Sequence, residues 1–224
     1  MTSTGNDIVS LNAIDITRSK QCRFYSKILS TTEKDLYNQP EFAVIPFENF
    51  VWILWSIKES AYKYLQRINP GLVFSPTKFE VKQILVPSGY SIPNFTAKQM
   101  EGTGFDHNDT AIKGIITFGT DTLYSRSLMY RELIVTALNA EEIFENTCWG
   151  IKLIDKPDSY FQSTEVRIFL VNRLRLFGFD NISLSKNTTG IPIILKRNKV
   201  LPIPVSLSHH DHLVAYSFQL ESYH

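Results

Sequence analysis

The chain has 224 residues, 43% hydrophobic and 20% charged, with a formal net charge of +1; this excludes a disordered chain and one built to coat nucleic acid or an anionic membrane. Two cysteines, Cys22 and Cys148, exclude a disulfide framework and a cysteine-based zinc site. With neither a signal-peptide pattern nor an apolar run of spanning length, the expected location is the cytoplasm.

In chain order, residues 6–11 read as a short strand, and Thr17 to Leu29 as a helix with Thr17 or Asp15 near its N-cap. Ser30-Thr31-Thr32-Glu33 starts a second helix with Glu33 in its first turn. A long helix runs from about Phe42 to Ile68 and stops at Asn69-Pro70-Gly71. Phe79 to Val86 alternates like a strand. Residues 87–109, rich in Pro, Gly, Ser and Asn, read as a loop. Ile112–Phe118 and Tyr124–Leu138 read as strands of an antiparallel meander, although the periodicity of the second also suits a helix.

A boundary is expected near residues 139–160. Beyond it, Ser163 to Phe177 forms an amphipathic helix ended by Gly178, and strands follow at about 182–185, 193–195, 205–207 and 213–218. Both parts read as a helix followed by antiparallel strands. The expected fold class is therefore α+β, as two similar halves packed together, 1–150 and 151–224. Residues 1–150 carry 14 basic and 16 acidic side chains, residues 151–224 nine and six. A basic second part suits a phosphorylated small molecule.

The long helix carries Lys58, Glu59 and Lys63 inside an apolar run, with Glu59 and Lys63 one turn apart on one face. One reading is a carboxylate for a hard cation beside an ammonium for a phosphate. The other is an ordinary surface ion pair worth a few tenths of a kcal/mol. A third cluster, Ser208-His209-His210-Asp211-His212, invites a metal site. Strand alternation splits its imidazoles between two faces, so a single well-formed site is not expected there.

Five short blocks together resemble the 4′-phosphopantetheinyl transferases. They are Gly5-Asn6-Asp7-Ile8-Val9, the segment Arg23–Leu29 followed by Glu33, Trp55-Ser56-Ile57-Lys58-Glu59-Ser60 with Lys63, Gly190-Ile191-Pro192, and Val205-Ser206-Leu207-Ser208-His209. Their order is similar to that of the short holo-acyl-carrier-protein synthases. The length is closer to the surfactin-synthetase type, in which the Gly-x-Pro and Ser-His blocks come first. The resemblance implies a pseudodimer whose halves stand in exchanged order, each a long helix on a small antiparallel sheet.

The resemblance further implies a magnesium-dependent transferase, expected to be monomeric and to serve acyl or peptidyl carrier proteins, as in fatty acid biosynthesis. It moves 4′-phosphopantetheine from coenzyme A to a carrier serine and releases adenosine 3′,5′-bisphosphate. Neither nucleic acid nor membrane is an expected partner. Asp7 and Glu59 are the implied metal ligands, since Mg²⁺ prefers one or two carboxylates with phosphate oxygens and water. Glu59 and Lys63 are the implied catalytic pair, and Lys58, Arg167, Arg173, Lys186, Gly190, Ser208 and His209 the implied coenzyme A contacts. Two positions depart from the pattern. Val9 stands where the longer enzymes carry a second acid, and Ile191 where the Gly-x-Pro turn often carries Lys. Both favour, as the alternative, a degenerate relative that binds coenzyme A or a carrier without transfer.

Overall fold

Two sheets lie between two helices in this computed structural model, which describes residues 3–105 and 110–220. The elements follow in order: β1 (Gly5–Ser10), α1 (Ile16–Ser19), α2 (Cys22–Tyr25), α3 (Thr31–Leu36), α4 (Phe47–Ile68), β2 (Glu80–Leu85) and β3 (Gln99–Thr103). Next come β4 (Ile112–Phe118), β5 (Asp121–Met129), β6 (Leu133–Asn139), β7 (Thr147–Leu153) and α5 (Ser159–Leu176). The chain ends with β8 (Ile182–Lys186), β9 (Pro192–Lys196), β10 (Lys199–Val200), β11 (Val205–His210) and β12 (Leu213–Gln219). The fold is α+β with antiparallel pairing throughout.

Local chemistry sets the boundaries. The helix expected over Thr17–Leu29 is two single turns, α1 and α2, because Gln21 between them is extended. Helix α3 is fixed by a capping box: Glu33 N–H donates to Ser30 Oγ at 3.2 Å, and Ser30 N–H to Glu33 Oε2 at 2.7 Å. Helix α4 begins at Phe47 rather than Phe42. Pro46 holds Ile45 extended, and a 3₁₀ turn occupies Pro40–Val44.

The first sheet has the order β1-β6-β5-β4-β2, and the second β11-β12-β7-β3; β10-β9-β8 form a small third sheet. Helix α4 covers one face of the first sheet, with Val51, Ile53, Leu54 and Ile57 fully buried against Val9, Ile116 and Ile134. The other face meets the second sheet through Ile8, Val135, Trp149, Ile151 and Ala215. Helix α5 closes the far side with Phe169, Leu170 and Leu174 against Val214 and Tyr216.

This sandwiching explains two departures from the expected elements. Every residue of β6 is buried because both faces are covered, so Tyr124–Leu138 shows no alternation; it is two strands, β5 and β6, joined by a turn. The segment expected as a loop holds β3, which pairs with β7; its residues 106–109 lie outside the described residues. Strand β7 occupies the segment expected as a boundary and sits inside the second sheet.

The two sheets meet edge to edge at β1 and β11, without a backbone ladder. Side chains of β11 serve the free edge of β1: Asn6 N–H donates to Ser206 Oγ and Ser10 N–H to His210 Nδ1, both at 3.0 Å. Asn6 Nδ2 donates to Ser208 Oγ at 2.8 Å. Among the described residues no helix is long and apolar enough to cross a membrane.

Candidate functional site

Strand β1 runs close against α4, and Gly5 makes that approach possible. A Cβ at Gly5 would overlap the carbonyl oxygen of Ser60 and stand 3.2 Å from Tyr64 N. The strand then turns Asp7 and Val9 toward α4, and Asn6 and Ile8 toward the second sheet. Val9 is buried in the α4 core, so the place of a second acid is apolar.

On α4, Lys63 reaches across to Asp7. Its Nζ donates to Asp7 Oδ1 at 3.2 Å and to Asn6 O at 3.0 Å, and lies 3.3 Å from Glu59 Oε1. Glu59 and Lys63 thus form the i,i+4 pair, and Asp7 joins them from a strand. The Asp7 carboxyl is pushed up to about 7 by burial, against the pull of Lys63, while the charge of Glu59 adds to the rise. Burial works against the Lys63 ammonium, but Asp7 and Glu59 together hold its pKa above the usual lysine value.

A cavity of about 220 Å³ opens beside this cluster, between α4, α5, the Gly190–Pro192 turn and β11. Lys63, Arg67, Arg167, Lys186 and His209 stand on its walls, and among the described residues no Asp or Glu does. At its turn, Asn187 Oδ1 accepts from the backbone N–H groups of Thr189 and Ile191, and Gly190 has φ 84°, in the left-handed region that suits glycine. Ile191 itself is buried and lines the cavity, leaving its wall apolar where a lysine would add charge. His209 is held below the usual histidine value, first by burial and then by Lys63.

The structure thus brings together Asp7, Glu59, Lys63, Arg167, Lys186, Gly190 and His209. It turns three other expected residues elsewhere. Lys58 is fully buried on the opposite side of α4, donating to Glu33 Oε2 at 2.7 Å and Ile28 O at 2.6 Å, so its charge joins α4 to α3 rather than meeting a ligand. Arg173 donates to Thr103 Oγ1 at 3.1 Å and lies over the Phe177 ring, away from the cavity. Ser208 faces Asn6 across the sheet junction and does not line the cavity, to which β11 contributes Val205, Ser206, Leu207 and His209.

Three polar cavity residues went unmarked in the sequence: Gln66, Arg67 and Ser163. Arg67 follows Lys63 by four residues, so helical spacing from the recognised lysine would have found it.

The acidic pair suits a hard divalent cation. The two carboxylates flank the Lys63 ammonium, and Asp7 Oδ2 is buried without a hydrogen-bond partner among the described residues, leaving an oxygen for a cation. No group of three or more metal-binding side chains occurs among those residues. A cation here would therefore take its remaining oxygens from a ligand and water.

Residues 3–106 match the model of the 4′-phosphopantetheinyl transferase superfamily, which identifies the superfamily over that segment. The match covers β1, α1 to α4, β2 and β3. Neither the curated proteins nor the solved structures give a match.

Proposed function

From that superfamily membership over its first part, we propose that the chain transfers 4′-phosphopantetheine from coenzyme A to a serine of an apo carrier protein. Adenosine 3′,5′-bisphosphate leaves. One observation carries the reading: Lys63 is bracketed by Asp7 and Glu59 beside a basic cavity lined, among the described residues, by no carboxylate. The first part, 1–150, supplies the acids and Lys63; the second, 151–224, supplies most of the cavity that takes the nucleotide. The two helix-on-sheet layers support the pseudodimer reading; a monomer in the cytoplasm is proposed with it. The carrier docks on apolar residues of the segment 24–37, among them half-buried Phe24 and Tyr25 of α2.

The serine oxygen forms a new bond to the pantetheine-bearing phosphorus, and the bond from that phosphorus to the bridging oxygen breaks. Lys63 lies where it can offset negative charge on the transferred phosphate and the departing oxygen. Glu59, the more exposed of the two acids, is placed to take the serine proton. Asp7 holds Lys63 in position from the strand. Asp7 and Glu59 are the residues that would hold Mg²⁺, whose charge neutralises pyrophosphate oxygens when bound. Arg167, Lys186 and His209 bind the nucleotide phosphates.

The apolar surroundings of Val9 favour one alternative, a relative that binds coenzyme A without transferring its arm. Weighing apo carriers after incubation with coenzyme A and Mg²⁺ separates the two. Transfer gives a phosphopantetheine mass gain, absent in Glu59→Gln and in Lys63→Met. Coenzyme A binding with no gain on any acyl or peptidyl carrier leaves the alternative.

A further inference from the structure

Arg67 belongs to none of the five sequence blocks, yet it is a cavity cation held by backbone carbonyls from two other segments. It sits on the last turn of α4, with Nη2 donating to Pro192 O at 3.1 Å and to Val205 O. Both carbonyls belong to the other side of the cavity, one in the Gly-x-Pro turn and one in β11. A guanidinium has five N–H donors in a fixed fork. Among the described residues, both hydrogen bonds of Arg67 use Nη2, which leaves Nε and Nη1 for whatever enters the cavity. Burial alone lowers the Arg67 pKa, to about 10, and among the described residues no carboxylate pairs with it. A buried cation held by neutral carbonyls is short of an anion.

The position selects which anion. Lys63 is committed to Asp7 and Glu59, where the reaction is placed, and Arg67 lies one turn farther along α4, about 6 Å along the axis. A phosphate bound by Arg67 is therefore a second one, separate from the reacting pyrophosphate. We propose that Arg67 is a specificity-determining residue that reads the phosphate on the ribose of a nucleotide coenzyme, its fork preset by the carbonyls of Pro192 and Val205. The inference rests on the transferase reading for the identity of the coenzyme. It makes the cavity selective for coenzyme A over its form without the ribose phosphate.

Calorimetric titration of the full chain with coenzyme A and with dephospho-coenzyme A tests it. The wild type is expected to bind coenzyme A about tenfold or more tightly than dephospho-coenzyme A, the scale of one charged hydrogen-bonded contact. Arg67→Met should bind the two alike, with its affinity for dephospho-coenzyme A close to that of the wild type. Retained discrimination in Arg67→Met overturns the proposal, and so does an equal loss for both ligands, which marks Arg67 as only a tie between elements. If Arg67→Met does not fold, Arg67→Lys decides: it keeps the charge without the fork, and undiminished discrimination overturns the proposal. The transferase reading fails separately. A wild type that discriminates through Arg67 but modifies no carrier refutes the transfer alone, and one that binds neither ligand refutes both.

Discussion

At the scale of single residues, the strongest constraint falls on an atom that is missing. Gly5 has an ordinary strand backbone, so its role is clearance between β1 and α4 rather than conformational freedom. Gly5→Ala forces the strand away from Ser60 or bends the helix, and is expected to cost about 2–3 kcal/mol, the upper range for overpacking. Urea unfolding measures it; a midpoint equal to the wild type would show that the contact relaxes freely. The same shift would carry Asp7 away from Lys63, so loss of transfer should accompany the loss of stability. The sequence presented Gly5-Asn6-Asp7 as one block, and the structure supplies the physical link: the glycine brings the carboxylate within reach of the ammonium.

At the scale of elements, the buried Lys58–Glu33 pair joins three of them. Glu33 Oε2 accepts from Lys58 Nζ and from Ser30 N–H, while Oε1 accepts from Val81 N–H at 2.7 Å, so one carboxylate holds α3, α4 and β2. Lys58→Met strands that carboxylate without its cation and should cost about 3–5 kcal/mol. Adding Glu33→Gln should recover part of the loss, and a double variant no more stable than the single would mean the charge is not what matters. Lys58 also shows where sequence reading stops. Spacing places it beside Glu59, but the helix turns the two side chains about 100° apart, and only the tertiary partner says which lysine meets the ligand. Elements with a local signal were legible, such as the Ser30–Glu33 cap and the Asn69-Pro70-Gly71 stop. Strands β3 and β7 were not, because a central strand covered on both faces loses its alternation and a short partner strand amid turn residues has little pattern of its own. Asp7, Glu59 and Lys63 were legible as blocks, whereas the cavity wall at Gln66, Arg67 and Ser163 exists only once α4 and α5 face each other.

At the scale of the whole molecule, titratable groups set opposing responses to acid. His209 and His210 are both held below 6.5, chiefly by burial; for His210, Asp211 and Glu59 pull the other way. Their contribution to stability is present above pH 6.5 and is lost as the pH falls through the depressed folded values. Protonation of His210 at Nδ1 also removes the acceptor for Ser10 N–H. Asp7 acts in reverse: raised from 3.8 to about 7, it contributes stability below pH 3.8 that is lost as the pH rises through about 7. The two effects offset one another between those limits. Asp7→Asn should therefore gain on the wild type in denaturant midpoint as the pH rises from about 4 to 7, and its own midpoint should fall on acidification below about 6.5. A profile parallel to the wild type would remove the burial argument for Asp7.

The junction of β1 and β11 has a consequence in time as well as in space. Strand β1 is made first, but the side chains that seal its open edge come from residues 206 to 210. Throughout synthesis the strand carrying Asp7 is thus an unsealed edge, the kind of surface that recruits other strands. Asn6, Asp7 and Ser10 make that strand polar at three of its six positions, so the edge that waits for β11 is not a purely apolar one.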